Sequence, residues 1–239
     1  MDGSNGSAGV RRRRNRRGQG ERLRDEVVAA AGAILAESGD AGRLSLRGVA
    51  KRVGIAPTSV YLHFPDVEHL AAAVAARAFA DLGDALAAAG RDEADPSGVL
   101  LARCRAYCRF ALERPGHYRV MFQVERPDLA TAEPFSFERS PGRPAFDPLA
   151  RDIARCQEAG AASPHADPTR LAVLVWASLH GLVSLRISRP RFLWPPLDEL
   201  VDYAVGRLVG LAQHSPDGVS ADGHARGLVT LVQGTEALP

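Results

Sequence analysis

Residues 44–64 constrain the fold of this chain most, because they spell two short helices joined by a tight turn. Ser45 can cap a helix that begins at Leu46 by accepting a hydrogen bond from a free backbone amide. Gly54 can supply the left-handed residue that reverses the chain after this helix. Pro57 suits the first turn of the next helix, where its missing amide proton costs little. The run therefore predicts a helix-turn-helix unit.

The apolar residues of this unit fall on one side. Val49 and Val53 are one turn apart, Val60 must return to meet them, and Ala50 leaves room for a close crossing. The outward residues are short polar or flat aromatic groups that can reach phosphates and base edges. The predicted DNA-contacting residues of the unit are Ser45, Arg47, Pro57, Thr58, Ser59, Tyr61 and His63.

The same stretch resembles a known family. Residues 49–55 read Val-Ala-Lys-Arg-Val-Gly-Ile, and residues 60–66 read Val-Tyr-Leu-His-Phe-Pro-Asp. This pattern is similar to the N-terminal domain of TetR-type transcriptional regulators over roughly 21–70. The resemblance implies an all-helical fold, a third helix that reads DNA, and a larger C-terminal domain that binds an effector and dimerises.

Two positions depart from the family pattern. Val67 stands where the family often has a phosphate-contacting Lys, and residues 56–59 read Ala-Pro-Thr-Ser in place of the more usual Ser-x-Gly-Thr. These departures bear on the individual phosphate contacts and leave the expected fold unchanged.

The whole chain is predicted to be all-α, with about nine helices, because aromatic residues make up only 6% and no alternating strand pattern persists. The predicted domains are a disordered basic arm at 1–20, a three-helix DNA-binding domain at 21–70, an effector-binding and dimerisation domain at 71–213, and a flexible tail at 214–239. Outside the helix-turn-helix unit, the predicted helices span 21–38, 66–89, 95–114, 117–124, 146–160, 167–188 and 196–213, with a proline-rich loop at 125–148.

The N-terminal arm concentrates positive charge. Through Arg24, eight Arg stand against two carboxylates, although the whole chain has a formal net charge of only +2. This asymmetry favours contact of one end with a polyanion, and a solvated tail without a partner is the alternative. The arm has no apolar run after its charges and is not read as an export signal. The arginines expected to contact phosphate or the minor groove are Arg11, Arg12, Arg13, Arg14, Arg16 and Arg17.

The last two predicted helices carry apolar stripes that favour a two-fold, four-helix dimer interface. The alternative is that both stripes face the core of the monomer. His180 and Arg186 interrupt the first stripe, which argues against a membrane span. The predicted interface residues are Leu174, Leu182, Leu185, Leu200, Ala204 and Leu208.

A second resemblance lies in the C-terminal half. Trp176 precedes His180-Gly181 by four residues, and residues 115–122 run from Pro to Met-Phe through Tyr118. This is similar to the Trp-x-x-x-His-Gly (WHG) subgroup of TetR C-terminal domains. Core packing around a satisfied imidazole is the alternative to an effector pocket. The candidate effector-binding residues are Tyr107, Phe110, Tyr118, Phe122, Trp176 and His180.

The sequence gives little support for redox, metal-binding or catalytic chemistry. Cys104 and Cys108 are one helical turn apart, which is typical of reduced core thiols, although a redox switch is the alternative. The histidines lack metal-ligand spacing, and no phosphate-binding loop, nucleophile elbow or dinucleotide motif occurs, so no metal, cofactor or catalytic residue is predicted.

The sequence therefore predicts a cytoplasmic, homodimeric DNA-binding regulator that acts as a repressor and that a small-molecule effector releases from a palindromic operator. The alternative is a helical binding or enzyme module that does not act on DNA.

Overall fold

The computed structural model describes residues 19–38, 40–122 and 142–212. Within these ranges the regular structure comprises nine α-helices and a 3₁₀-helix at Ala41–Arg43, with no strand. The helices are α1 Gln19–Ser38, α2 Leu46–Val53, α3 Pro57–Tyr61, α4 Val67–Ala89, α5 Pro96–Glu113, α6 Pro115–Phe122, α7 Arg143–Glu158, α8 Pro168–Ser188 and α9 Leu197–Val209. The predicted all-α class, with a helix-turn-helix unit and a larger helical bundle, is confirmed.

Three long helices begin at an aspartate cap. The Asp66 carboxylate accepts from the His69 amide at 2.8 Å to start α4. Asp95 caps α5, and Asp167 caps α8, in each case followed directly by a proline in the first turn. A proline there needs no amide proton, so the Asp-Pro pairs place these helix starts where the sequence predicted them.

Other boundaries differ from the prediction. Helix α1 begins two residues before Glu21, and α6 begins at Pro115, so only one residue separates it from α5. Helix α7 begins at Arg143, which makes the end of the predicted 125–148 loop helical, while residues 125–141 of that loop lie outside the described ranges. Helix α9 ends at Val209 because Gly210 adopts a left-handed φ of 69°, four residues before the predicted end.

The helices enclose two hydrophobic cores, and α4 contributes to both. The first core joins α1, α2, α3 and the part of α4 up to Ala75. The second core joins the rest of α4, from Ala78, to α5–α9. The domain limits given from the sequence stay predictions.

Helix α6 also contributes to both cores. Val120 is buried in the first core, whereas Tyr118 and Met121 are buried in the second. At its N-terminal end α6 packs directly on α1, because a Cβ added to Gly116 would lie 2.1 Å from the Leu35 carbonyl oxygen. A side chain at position 116 would therefore separate the two helices.

Helix α8 is long and apolar enough, by length and composition, to cross a membrane, and it is the one such helix in the described part of the chain. In the structure it packs against α5, α7 and α9. Val175, Leu179 and Val183 lie along the side of α8 that faces the second core.

Candidate functional site

Local hydrogen bonds fix the turn between α2 and α3. The Ser45 hydroxyl accepts from the Gly48 amide at 3.1 Å and so caps α2. Gly54 adopts a left-handed φ of 75°, and the following Ile55 amide donates to the Ala50 carbonyl at 3.0 Å. Because Val60 is fully buried, α3 is anchored on its inner side and presents its other side to solvent.

The outer side of α3 holds most of the predicted DNA-contacting residues. Pro57 and Thr58 are exposed, Tyr61 is 51% exposed, and Ser59 is half-buried. Helix α3 ends at Tyr61, so His63 lies beyond it, with its ring next to Gly20 of α1. The short helix thus concentrates its outward groups at Thr58 and Tyr61.

Leu62 is 85% exposed beside Tyr61 and was not among the predicted contacts. Nothing in its sequence position distinguishes it from a core leucine, because it falls two residues before the buried Phe64. Its exposure follows from the early end of α3.

Basic side chains surround this unit. Arg47 and Lys51 of α2 are exposed, as is Arg43 before it. Arg52 instead forms a bidentate salt bridge with Glu37 of α1, with nitrogen–oxygen distances of 2.7 and 2.6 Å. The hydrogen bond from Arg52 lowers the pKa of Glu37. The predicted arginine arm lies outside the described residues.

The N-terminal end of α4 differs from the rest of this basic surface. Val67 is half-buried against the first core, and the Asp66 carboxylate occupies the helix end, where a hydrogen bond from the backbone amide of His69 lowers the pKa of Asp66. An anion at this helix end would face the carboxylate. The structure therefore places the excess basic groups at α2 and its approach and not at α4.

Five of the six candidate effector-binding side chains meet between α5, α6 and α8. The ring centroids of Phe122 and His180 are 4.9 Å apart, those of Tyr118 and Phe122 are 5.1 Å apart, and those of Trp176 and His180 are 5.8 Å apart. Tyr107 reaches the same imidazole through its hydroxyl. We call Tyr107, Tyr118, Phe122, Trp176 and His180 the aromatic cluster.

A hydrogen-bond network lies at the centre of the aromatic cluster. The Nδ1 atom of His180 is 2.9 Å from the Tyr118 hydroxyl and 3.3 Å from the Tyr107 hydroxyl. The Tyr118 hydroxyl also lies 3.2 Å from the Ser184 hydroxyl. Burial lowers the pKa of His180 and raises the pKa of both tyrosines. The centre is therefore uncharged near neutral pH and is made of groups that can donate or accept hydrogen bonds.

The sixth candidate, Phe110, lies elsewhere, with the Arg114 guanidinium 4.9 Å from its ring centroid. Two further rings contact the cluster: Phe79 lies 5.4 Å from Phe122, and Phe146 lies 6.1 Å from Trp176. Sequence reasoning missed both rings, because they come from α4 and α7, far away in the chain. Phe79 shares one face of α4 with the buried Leu82 and Leu86, and this helical spacing is the one sequence signal that could have placed it inward.

The predicted dimer residues divide into two groups. Leu174 and Leu185 are more than half exposed, and Leu200 and Ala204 are half-buried. Leu182 and Leu208 pack against the second core. Two further side chains, Val173 and Tyr203, were not predicted and are also exposed on α8 and α9. The two last helices thus leave several large apolar side chains in solvent.

All three cysteines are buried and free. Burial raises the pKa of Cys108 to about 12 and also raises the pKa values of Cys104 and Cys156. They are therefore protonated thiols near neutral pH, with little thiolate for redox chemistry. The described ranges contain no group of three or more metal-ligating side chains.

Comparison with known proteins finds a matching family model and a curated relative. A family model described as the tetracyclin repressor-like C-terminal domain matches residues 100–208. The uncharacterized HTH-type transcriptional regulator YobS of Bacillus subtilis is 28% identical over 96 residues, which are 40% of this chain and 50% of that protein. The chain thus matches about half the length of this curated relative.

Solved structures share the fold. A protein of unknown function from Rhodococcus sp. RHA1 is 29% identical with a TM-score of 0.66, covering 80% of this chain and 96% of that chain. RolR in complex with resorcinol is 23% identical with a TM-score of 0.62, covering 82% of this chain and 91% of that chain. The description of the matching family model does not name the Trp-His-Gly subgroup, so that assignment stays a prediction.

Proposed function

We propose that this chain, which belongs to the TetR family of transcriptional regulators, binds a palindromic DNA operator as a homodimer and releases it when a small molecule occupies the aromatic cluster. The observation that carries the proposal is the α2–α3 unit, whose buried Val60 anchors α3 while Thr58 and Tyr61 face solvent. A short helix held in this way fits the major groove.

The DNA contacts divide into two kinds. Thr58 and Tyr61 are placed to read base edges, since they point away from the first core. Ser45 and Arg47 at the start of α2, with the arginines of the 1–20 arm, supply contacts to phosphate. Each arginine that neutralises a phosphate steepens the log–log salt dependence by about 0.9.

A dimer is proposed because one five-residue recognition helix reads few base pairs. The exposed Leu174 and Leu185 of α8 and the half-buried Leu200 and Ala204 of α9 supply the apolar surface for it. A two-fold pairing of these helices would bury this surface and repeat α3 on both sides of one operator. The protein would then act as a repressor in the cytoplasm, where the DNA lies.

The aromatic cluster is the proposed effector site. Apolar rings surround the neutral His180–Tyr118 network, and this combination suits an uncharged ring compound bearing hydroxyl groups. RolR, which has the same fold, was crystallised with resorcinol, an aromatic diol, and this supports the same ligand class here.

The decisive experiment is selection of bound sequences from random DNA, followed by mobility-shift titration of the selected operator. We expect a two-fold symmetric site with strongly salt-dependent affinity. Thr58→Ala and Tyr61→Ala should each weaken operator binding while leaving the melting temperature unchanged, and Arg170→Ala on the distant α8 is the matched surface control. Folded, dimeric protein that shows no salt-sensitive DNA binding would instead indicate a helical module that does not act on DNA.

The effector role has its own test. Titration of resorcinol into the protein–operator complex should release DNA, and Tyr118→Phe should reduce this release because it removes the hydroxyl that meets His180. Unchanged release in Tyr118→Phe would contradict the proposed site while leaving the DNA-binding proposal intact.

A further inference from the structure

A cleft lies between α4, α5 and α7 and shares no lining residue with the aromatic cluster. Its volume is about 260 Å³, and Gly83, Leu86, Arg103, Arg151, Asp152 and Arg155 are among its lining residues. We call it the arginine cleft. Its apolar lining comes from α4 and two proline rings of α7, and its charged lining comes from α5 and α7.

The charges of the arginine cleft are unbalanced. Three guanidinium groups face one carboxylate, that of Asp152, which is only 2% exposed. Asp152 is satisfied mainly by Arg103, whose Nη1 lies 2.6 Å from Oδ2, while the nearest nitrogen of Arg155 is 3.9 Å from Oδ1. The cleft therefore keeps about two positive charges that no lining carboxylate offsets.

Hydrogen-bond donors are also in excess. The buried Nε atom of Arg103 has no hydrogen-bond partner. Arg151 donates through Nε to the Asp147 carbonyl at the long distance of 3.4 Å, which leaves its terminal nitrogens for other acceptors. Arginine pairs best with planar oxyanions, which accept two hydrogen bonds from one guanidinium. An incoming carboxylate would supply the missing acceptors.

Gly83 gives an independent indication that the arginine cleft is a binding site. It lies within the Ala-rich helix α4, where glycine costs about 1 kcal/mol relative to alanine. A Cβ at this position would meet no atom within 4 Å, so close packing does not require the glycine. The missing side chain instead keeps the cleft open on the α4 side.

We infer that the arginine cleft binds a small organic carboxylate with an apolar body. The carboxylate would pair with Arg151 and Arg155, and the body would lie against Leu86 and the proline rings. The volume suits a molecule of about one ring, because drug-sized pockets begin near 300 Å³. This site differs from the proposed effector site both in position and in the charge of its ligand.

The test uses the full chain and benzoate as the probe, with the neutral isostere benzamide as the matched ligand. Isothermal titration calorimetry should show binding of benzoate and at least about fivefold weaker binding of benzamide. Arg151→Ala and Arg155→Ala should each weaken benzoate binding about fivefold or more, and the double variant should weaken it further. Arg103 is left unchanged, because its loss would strand the buried Asp152.

Gly83→Leu should abolish benzoate binding by filling the cleft, with no loss of melting temperature, since leucine is the better helix former. Arg170→Ala, which removes an exposed arginine outside the cleft, should bind benzoate like the parent chain. Equal affinities for benzoate and benzamide, full benzoate binding in Gly83→Leu or in the double arginine variant, or no benzoate binding at roughly millimolar concentrations would each overturn the inference.

Discussion

Replacing Gly116 by Ala tests how closely α6 packs on α1. The added Cβ would lie 2.1 Å from the Leu35 carbonyl oxygen, 2.6 Å from its carbonyl carbon and 3.0 Å from the Ala36 nitrogen. All three are backbone atoms, so no side-chain rotation relieves the overlap. Ordinary contact begins near 3.4 Å, so the helices must separate by about 1 Å. Overpacking of this kind costs about 1–3 kcal/mol, and backbone overlap puts the cost near 3 kcal/mol.

The assay is thermal unfolding, followed by circular dichroism at one fixed protein concentration, because the proposed dimerisation would make the midpoint depend on concentration. A chain of this size loses about 2–4 °C per kcal/mol, so Gly116→Ala should lower the melting temperature by about 6–12 °C. Gly83→Ala is the matched control: its Cβ meets no atom within 4 Å, and it should stabilise by up to about 1 kcal/mol. If Gly116→Ala melts with the parent chain or with Gly83→Ala, the close approach of α1 and α6 is refuted.

Three further predictions follow from single groups. Ser45→Ala removes the cap of α2 and should lower the free energy of unfolding in urea by about 1 kcal/mol. Ser45→Asp keeps a hydrogen-bond acceptor and should lower it much less. Equal losses in the two variants would contradict the capping role. Burial lowers the pKa of both His117 and His180 below the ordinary histidine value of 6.5. The unfolded chain therefore binds more protons, so stability should be full above pH 6.5 and fall as the pH drops towards the folded pKa values. Urea midpoints at pH 7.5 and 5.5 measure this loss, and a loss that His117→Gln does not reduce would exclude His117 as a contributor. The Cys108 thiol, buried with a pKa raised to about 12, should react with Ellman's reagent only when urea unfolds the chain, and rapid labelling of native protein would contradict its burial.

Features governed by neighbouring residues could be predicted from the sequence. The Asp167-Pro168 pair places the start of α8, and Ser45 and Gly54 place the two ends of α2, because capping and left-handed φ are decided within four residues. The inward direction of Val60 followed from the same helical spacing. The helix-turn-helix unit was therefore predictable at the level of single residues.

Features governed by distant contacts could not be predicted in this way. Helix α7 contains Pro148, whose missing amide removes one helical hydrogen bond, and local rules therefore favoured a later start. Packing of Ile153 and Cys156 in the second core offsets that loss. In the same way, Phe79 joins the aromatic cluster only because the fold brings α4 against α6.

Helix α6 links the two cores more tightly than its eight residues suggest. Tyr118 and Val120 are two positions apart and so point to nearly opposite sides of the helix, and each is only 1% exposed, in different cores. Since both sides are packed, α6 cannot turn to relieve one core without disturbing the other. A displacement of the Tyr118 hydroxyl from His180 would therefore reach α1 through Val120 and Gly116. In the proposed regulator, effector and DNA need to differ in preferred conformer by only about 1–3 kcal/mol. One overpacked contact costs the same amount, so a change at the α1–α6 contact has the size that such a coupling needs.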